Sequence, residues 1–501
     1  MRVFSPGSGA GIRTPVTWAR TKRPTARRPP NDLNEMLKGG PNRTQDRTLC
    51  QCCKCAILCS MALRCIQYDD ANMLSEHVGR FGAKKSEWDG MLTRLKKAKR
   101  AVLEMSRTRT QGFLDLPSSA PLRNVSRDAA ERLKKKFTDL VVLGIGGSDL
   151  GARALHDALV RRKAASSKNL KLHFAGSSTD PDELHALIRT LDLKRTCVNV
   201  ISKSGGTLET MVSFLVFRDL LIKRVGRRTF HKHIIATTDP QKGSLHDLSL
   251  QEGYEMLPVP NNVGGRFSVL SPVGLLPAVV SGIDIDALCE GARVFVKSFK
   301  DSDVSACASC RYAGLHVIGY EKRNLDTHVL MAYSNALSEF TTWVRQLVAE
   351  SLGKRLNRKK KEIFTGPTPV AAIGPEDQHS QLQLYAEGPF NKLITFMEVG
   401  TFDHDLVTPD ITVGDETIRA FGNKSFRTLI HTERAATAES LRRMKRPNGT
   451  ITLNGLHERA MGEVIMMFEI AVALMGELMD VNAYDQPGVE LSKQLMRESL
   501  S

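Results

Sequence analysis

Residues 198–210 read VNVISKSGGTLET, and they decide the fold. Val198, Val200 and Ile201 are β-branched residues of the kind that fill a buried parallel strand. The following LETMVSFLVFRDLLIK has the length and apolar spacing of a helix. Between them, Ser202, Lys203, Ser204 and Thr207 supply hydroxyls and an ammonium, while Gly205 and Gly206 let backbone amides approach a ligand without Cβ interference. A helix N-terminus adds unpaired N–H groups and a favourable dipole, so the loop suits a small dianion such as a monophosphate. A Ser/Gly-rich turn of this kind also serves as a simple helix cap, and that reading stays open beside the first. The lysine precedes the glycines and GxxxxGK[ST] is absent, which argues against a nucleoside triphosphate.

Working outward, the pattern repeats. DLVVLGIGGSDLGARALHDAL (139–159), KLHFAGSSTDPDELHALI (171–188) and HIIATTDPQKGSL (233–245) each read as strand, polar turn and helix start. With 198–210 they predict a doubly wound parallel sheet whose ligands lie beyond the carboxyl ends of the strands. The turn at Gly144, Gly146, Gly147 and Ser148 raises a dinucleotide alternative. Asp149, however, stands where the third glycine of GxGxxG belongs, and the next strand ends in serines before any acid. Ser148 and its neighbouring amides suit a sugar hydroxyl or phosphate better than a pyrophosphate.

After NNVGGRFSVLSPVGLLP a second round of the same class begins: THVLMAYS, NALSEFTTWVRQLVAESLGK, PVAAIG, EDQHSQLQLYAEG and LITFMEV alternate strand and helix. The expected organisation is a disordered basic leader over 1–60, a helical arm over 61–136, α/β domains over 137–290 and 291–450, and C-terminal helices over 451–501. In the last segment Pro487 can open a final helix.

At 501 residues, 41% apolar and 25% charged, the chain is long enough for two or three domains with their own cores. The best membrane-span candidates are too short or carry Glu469 and Glu477. The charge of +17 invites a nucleic-acid reading, but residues 1–64 hold twelve Lys/Arg against three acids and so carry +9 of it. The body shows no interleaving of aromatic and basic residues, so no nucleic-acid partner is expected. The leader region also concentrates Cys50, Cys52, Cys53, Cys55, Cys59 and Cys65, with no second pair or His at zinc-finger spacing. Cys307 and Cys310 form another CxxC in a helix-like run and are expected to face a core. Scattered thiols suit a reducing compartment, hence the cytoplasm. The leader reads as a targeting peptide or, preferably, as an extension ahead of a natural start at Met61.

Several residues could do chemistry: Glu350 at a helix end with Gln346 one turn earlier, His379 at a strand-to-helix junction, Arg266 between Gly265 and Phe267, and Lys493 in the last helix. Each alone is open to a plain structural reading. Their order and wording resemble a family closely. VVLGIGGSDLGARAL, NVISKSGGTLET, NNVGGRFSVLSPVGLLP, VAESLGK, EDQHS and YDQPGVELSK are similar to the successive motifs of the glucose-6-phosphate isomerases (phosphoglucose isomerases) in their shorter bacterial form, over residues 63–493. The resemblance implies two sugar isomerase (SIS) domains and an intramolecular aldose–ketose isomerase of glycolysis and gluconeogenesis that interconverts glucose 6-phosphate and fructose 6-phosphate. It makes Glu350 the base between C1 and C2, His379 and Lys493 the groups assisting ring opening, and Arg266 the stabiliser of the enediolate. Ser202, Lys203, Ser204 and Thr207 would bind the phosphate, and Gly147, Ser148, Glu209, Gly265, Gln346 and Gln486 would line the sugar pocket. No metal and no cofactor are implied. His379 would come from the other subunit of a homodimer. Two departures from the pattern stand out: Gly206 where many relatives have Thr, and Ser492 where Gly is usual. Competing readings are an isomerase that also takes mannose 6-phosphate, a sugar-phosphate-binding regulator without turnover, and a basic nucleic-acid binder.

Overall fold

A strand that is buried on both faces must send alternate side chains into two different cores, and 196–201 does so. In the computed structural model, which describes residues 64–161 and 168–500, Val198 and Val200 join Phe214, Phe217, Leu221 and Ile234. Cys197 and Ile201 join Leu133, Leu140, Val142, Val273 and Leu276 on the opposite face. The basic leader, the cysteines at 50, 52, 53, 55 and 59, and the proposed start at Met61 lie outside the described residues.

Twelve strands are described: β1 (Ile66–Asp69), β2 (Asp139–Leu143), β3 (Lys171–Ala175), β4 (Thr196–Ile201), β5 (Ile234–Thr238), β6 (Glu255–Pro258), β7 (Thr327–Ala332), β8 (Lys354–Leu356), β9 (Glu362–Thr365), β10 (Thr368–Ile373), β11 (Lys392–Val399) and β12 (Asn448–Leu453). The first sheet runs β3-β2-β4-β5-β6, all parallel. The second runs β1-β12-β11-β7-β10, parallel except for β1. β8 and β9 form a separate hairpin. The fold is therefore the expected pair of doubly wound sugar-isomerase-type sheets with flanking helices. The strand order changes direction at β2 and β4, so the turns after these strands diverge and leave a crevice at the carboxyl edge.

Several elements depart from the sequence reading: β6 and the β8–β9 hairpin were not expected, and β12 runs into the segment expected to hold only C-terminal helices. The segment expected to open a helical arm begins instead with β1, which pairs antiparallel with β12 in the second sheet. Ile66 and Tyr68 turn inward and Gln67 and Asp69 outward, but four residues are too short a run to mark a strand against the helical spacing that follows. The rest of the arm is helical, with Lys85–Arg107 and Ala120–Lys134 as its longest pieces.

The helix Leu208–Val225 rests on the first sheet through Phe214, Phe217 and Leu221, all fully buried. Truncating either phenylalanine would cost about 3–5 kcal/mol. That anchoring fixes where the helix N-terminus points. Behind the second sheet, Glu458–Leu478 is buried on almost every side and packs against Ile285–Asp301, Ala308–Arg323, Ser338–Leu352 and Lys85–Arg107. An all-round apolar surface forces a helix to the centre of a bundle. Cys307 and Cys310 are buried in this layer, as their helical setting suggested. No helix among the described residues is long and apolar enough to cross a membrane.

Candidate active site

The turns after β2, β4, β5 and β6 meet the C-terminal end of the helix Ser338–Leu352 around a cleft of about 980 Å³. Two glycines set how closely these pieces approach. A Cβ on Gly147 would lie 2.3 Å from the carbonyl carbon of Gly265 and 2.5 Å from the Arg266 nitrogen, so the β2 turn and the arginine turn touch backbone to backbone. Gly205 has φ +71°, and its Cβ would come within 2.2 Å of the Leu245 nitrogen. Only glycine takes that conformation in that space.

The 202–207 loop is wired to itself. Ser202 is buried, and its Oγ accepts the Gly205 N–H at 3.0 Å and lies 3.4 Å from Thr207 Oγ1. Ser204, which is exposed, accepts the Gly206 N–H at 3.2 Å. Thr207 then occupies the N-cap position of Leu208–Val225, so the loop ends at the positive pole of an eighteen-residue helix. Lys203 donates to the carbonyls of Asn261 (2.9 Å) and Val263 (3.0 Å). Its ammonium thus joins the phosphate-sized loop to the segment that leads into Gly265 and Arg266.

Glu350 stands in the last turn of its helix, where the dipole disfavours an anion. Two donors offset that cost. Arg266 Nη1 donates to Glu350 Oε2 at 3.1 Å, and Gln346 Nε2 donates to Oε1 at 3.0 Å. The Arg266 side chain is 1% exposed and that of Glu350 34%, so the guanidinium is sealed while the carboxylate still faces the cleft. Burial pulls the Arg266 pKa below its ordinary value and Glu350 opposes this, leaving a cation at any neutral pH. The rest of the guanidinium fork is fully used. Nε donates to Ser351 Oγ (2.8 Å), Nη1 also to Gln486 Oε1 (3.0 Å), and Nη2 to the carbonyls of Ala483 (2.6 Å) and Asp485 (3.1 Å). A planar, five-donor head is the group suited to such a junction.

Of the residues singled out from sequence, Gly147, Ser148, Lys203, Ser204, Thr207, Glu209, Gly265, Arg266, Gln346, Glu350, Gln486 and Lys493 line the one cleft. Ser202 does not; it is turned inward to hold the loop. His379 does not either. It is exposed on the short helix Gly374–Ser380, which follows the edge strand β10. Lys493 donates to Glu490 Oε1 at 2.8 Å from the terminal helix Glu490–Leu500.

Sequence reasoning missed a second tier. Lys354 is buried, and its ammonium donates to the Glu350 carbonyl at 2.8 Å and pairs with Asp485 Oδ1 at 3.1 Å. It ties the helix end that carries the carboxylate to the chain around Gln486. Ser351 and Lys354 lie inside VAESLGK and Asp485 inside YDQPG, so the signal was present, but nothing in their residue types marks them as braces. Asp239, Lys242, Met496 and Arg497 also line the cleft and were not singled out. Among the described residues, no group of three or more His, Cys, Asp or Glu is placed to hold a metal ion.

Comparison with known proteins accounts for this arrangement. Residues 126–501 match the family model of phosphoglucose isomerase. The chain belongs to the phosphoglucose isomerase family. It is 37% identical over 435 residues to glucose-6-phosphate isomerase from Carboxydothermus hydrogenoformans, covering 86% of this chain and 93% of that protein. It is 36% identical over 391 residues to glucose-6-phosphate isomerase from Thermus thermophilus, covering 78% and 90%. Among solved structures, a hypothetical protein from Thermus thermophilus superposes with a TM-score of 0.76 at 34% identity, over 87% of this chain and all of that one. A glucose-6-phosphate isomerase from Chlamydia trachomatis superposes at 0.66 with 25% identity, over 76% and 73%. The family match covers the first sheet and every strand of the second except β1, and with them the cleft between the phosphate-sized loop and Glu350.

Proposed function

We propose that the chain is a glucose-6-phosphate isomerase (EC 5.3.1.9), interconverting glucose 6-phosphate and fructose 6-phosphate through ring opening and an enediolate. The observation that carries this reading is Glu350 held by Arg266 at 3.1 Å and Gln346 at 3.0 Å in the same cleft as the 203–207 loop. Moving hydrogen between adjacent carbons means removing a weakly acidic C–H proton, which needs a positioned carboxylate and positive charge where the oxyanion develops. Glu350 takes the proton from C2 of the aldose, the electron pair moves into the C1 carbonyl, Arg266 faces the resulting enediolate, and a proton passes from O2 to O1 so that C2 becomes the carbonyl carbon. Glu350 then returns the proton to C1.

The first domain, 137–290, supplies the phosphate grip: the 203–207 amides and hydroxyls, set by inward-turned Ser202. The second, 291–450, supplies the base. The terminal helices bring Lys493, which assists ring opening. Ser148, Glu209 and Gln486, with the Gly147 and Gly265 turns, line the sugar pocket. Gripping the phosphate far from the reacting carbons orients them, so the reading assigns the chemistry to side chains and to no cofactor.

His379 serves this reading only from a second copy of the chain, so the working form is a homodimer with shared sites. The exposed apolar side chains Leu406, Val407, Val413, Ile418, Phe421 and Phe426, beyond β11, support a face that associates. The cysteines Cys65, Cys197, Cys289, Cys307 and Cys310 are unpaired and buried, which supports a reducing, cytoplasmic setting.

The test is NMR of fructose 6-phosphate in D₂O with wild type and Glu350→Gln. Glucose 6-phosphate carrying deuterium at C2 is expected, and its loss in the folded variant. No conversion by a folded wild type that still binds the sugar phosphate would replace this reading with that of a binding protein. Mannose 6-phosphate among the products would widen the substrate range.

A further inference from the structure

The cleft is lined by five cationic side chains: Lys203, Lys242, Arg266, Lys493 and Arg497. Three of them are occupied. Lys203 is bonded to the Asn261 and Val263 carbonyls, Arg266 holds five oxygen partners, and Lys493 pairs with Glu490. The ammonium of Lys242 is exposed and makes no hydrogen bond or ion pair among the described residues; only its backbone N–H is used, donating to Asp239 Oδ1 at 3.3 Å.

Its place in the fold is specific. Lys242 follows β5 in a segment that rests directly on the phosphate-sized loop. The Asp239 N–H donates to the Lys203 carbonyl at 3.4 Å, and the Ser244 N–H donates to the Ser204 carbonyl at 3.2 Å. Lys203 is pulled below its ordinary pKa by burial, held up by Asp239 and pressed down again by Lys242, so the Lys242 charge is felt at the loop itself. A dianion settled on the 203–207 amides would therefore have a free ammonium beside it, and that ammonium is not the one the loop motif suggests.

We propose that Lys242 is the cation that meets the phosphate group of the substrate, while Lys203 braces the 260–263 segment. The proposal rests on the isomerase reading for the sugar that carries the phosphate, and not for the anion site itself. Lys242→Ala, Lys242→Arg and Arg497→Ala are compared with wild type in two measurements: steady-state kinetics with fructose 6-phosphate, and calorimetric binding of inorganic phosphate.

A charge-assisted contact of this kind is expected to change affinity by roughly tenfold or more. Lys242→Ala should raise KM and the phosphate dissociation constant by the same factor, with a smaller fall in kcat, and Lys242→Arg should restore most of it. Arg497→Ala removes the same charge from the terminal helix in the same cleft, and should raise the phosphate dissociation constant by less than Lys242→Ala does. Unchanged phosphate binding in folded Lys242→Ala overturns the proposal. So does an equal effect of Lys242→Ala and Arg497→Ala, which would mean a diffuse field rather than a contact. If wild type binds phosphate in a Lys242-dependent way but converts no sugar, the anion site stands and the isomerase reading fails.

Discussion

Replacing Arg266 by alanine tests the site most severely, because this side chain is at once a brace and the proposed partner of the reacting oxygen. The change removes five hydrogen bonds, to Ser351, Glu350, Gln486 and the carbonyls of Ala483 and Asp485. Those energies do not add. The governing term is that breaking a buried ion pair from one side costs about 3–5 kcal/mol, mostly for the charge left behind. Glu350 is a third exposed and can rehydrate, so the lower end, about 3 kcal/mol, is the expected loss of stability. The chemical loss is separate. Removing one donor aimed at a developing oxyanion typically costs about 10²–10³ in kcat. The phosphate loop keeps its own contacts through Ser202 and Lys203, so KM should change far less than kcat. Arg266→Lys retains the charge but cannot span the fork, and should recover part of the stability and little of the turnover. Denaturant unfolding gives the first quantity, and the initial rate of fructose 6-phosphate conversion, taken where each variant is folded, gives the second. Unchanged turnover in folded Arg266→Ala would refute the catalytic assignment and leave Arg266 as a brace alone.

Gly147→Ala drives a methyl group to 2.3 Å from the Gly265 backbone, so it should displace the Arg266 turn and lower kcat; Gly205→Ala strains the phosphate loop and should raise KM instead, both read from steady-state kinetics. If His379 serves a partner's site, Glu350→Gln and His379→Ala should each be nearly inactive, and subunits mixed after denaturation should regain roughly a quarter of wild-type turnover, since half the dimers are mixed and each has one intact site; no recovery in a proven mixed dimer would sink the shared-site reading. His316 and His328 are buried 3.3 Å apart, and burial depresses both, His328 to about 4. The unfolded chain therefore binds protons below about pH 6.5 that the folded one refuses, and stability should fall there in denaturant titrations, less so in His328→Leu. Glu469 is buried without a hydrogen-bond partner among the described residues, and desolvation raises its pKa well above the ordinary value, so the unfolded state gains by ionising and stability is lost as pH rises above about 4.3. Glu469→Met should stabilise the protein, by more at pH 8 than at pH 5.

β2, β4 and β5 were legible because their Val and Ile residues pack on both faces, which leaves a run that no surface helix would show, whereas β6, EMLP, carries no such run. β12 was not, since NGTITL begins with two poor strand formers and its place is fixed by β11 and β1 rather than by its own preference. The cleft was legible through its glycine and hydroxyl turns, because turn chemistry is local. What sequence could not show is which polar groups face the cleft. Ser202 and Ser204 belong to one motif, yet one is turned inward and the other is exposed. Lys203 and Lys242 both lie in glycine-containing turns after strands, and tertiary carbonyls, 58 and 60 residues away, decide which ammonium is occupied.

That division follows from how the site is assembled. The phosphate grip belongs to the first sheet, while Glu350 belongs to a helix that follows β7 of the second, so neither sheet holds a working site alone. Their relative position is fixed by groups that line the cleft: the Arg266 fork joins the turn after β6 to Glu350 and Ser351, and that turn is itself seated on the β2 turn by the Gly147–Gly265 backbone contact. Binding energy gained at the phosphate can reach the reacting carbons only through those joints, because a misplacement of about 1 Å there is enough to cost the orientation on which proton transfer depends. The buried cation of Arg266, costly to desolvate, is better explained by this joint than by stability, since an apolar residue of similar size would fill the space at less expense and leave Glu350 without a fixed direction.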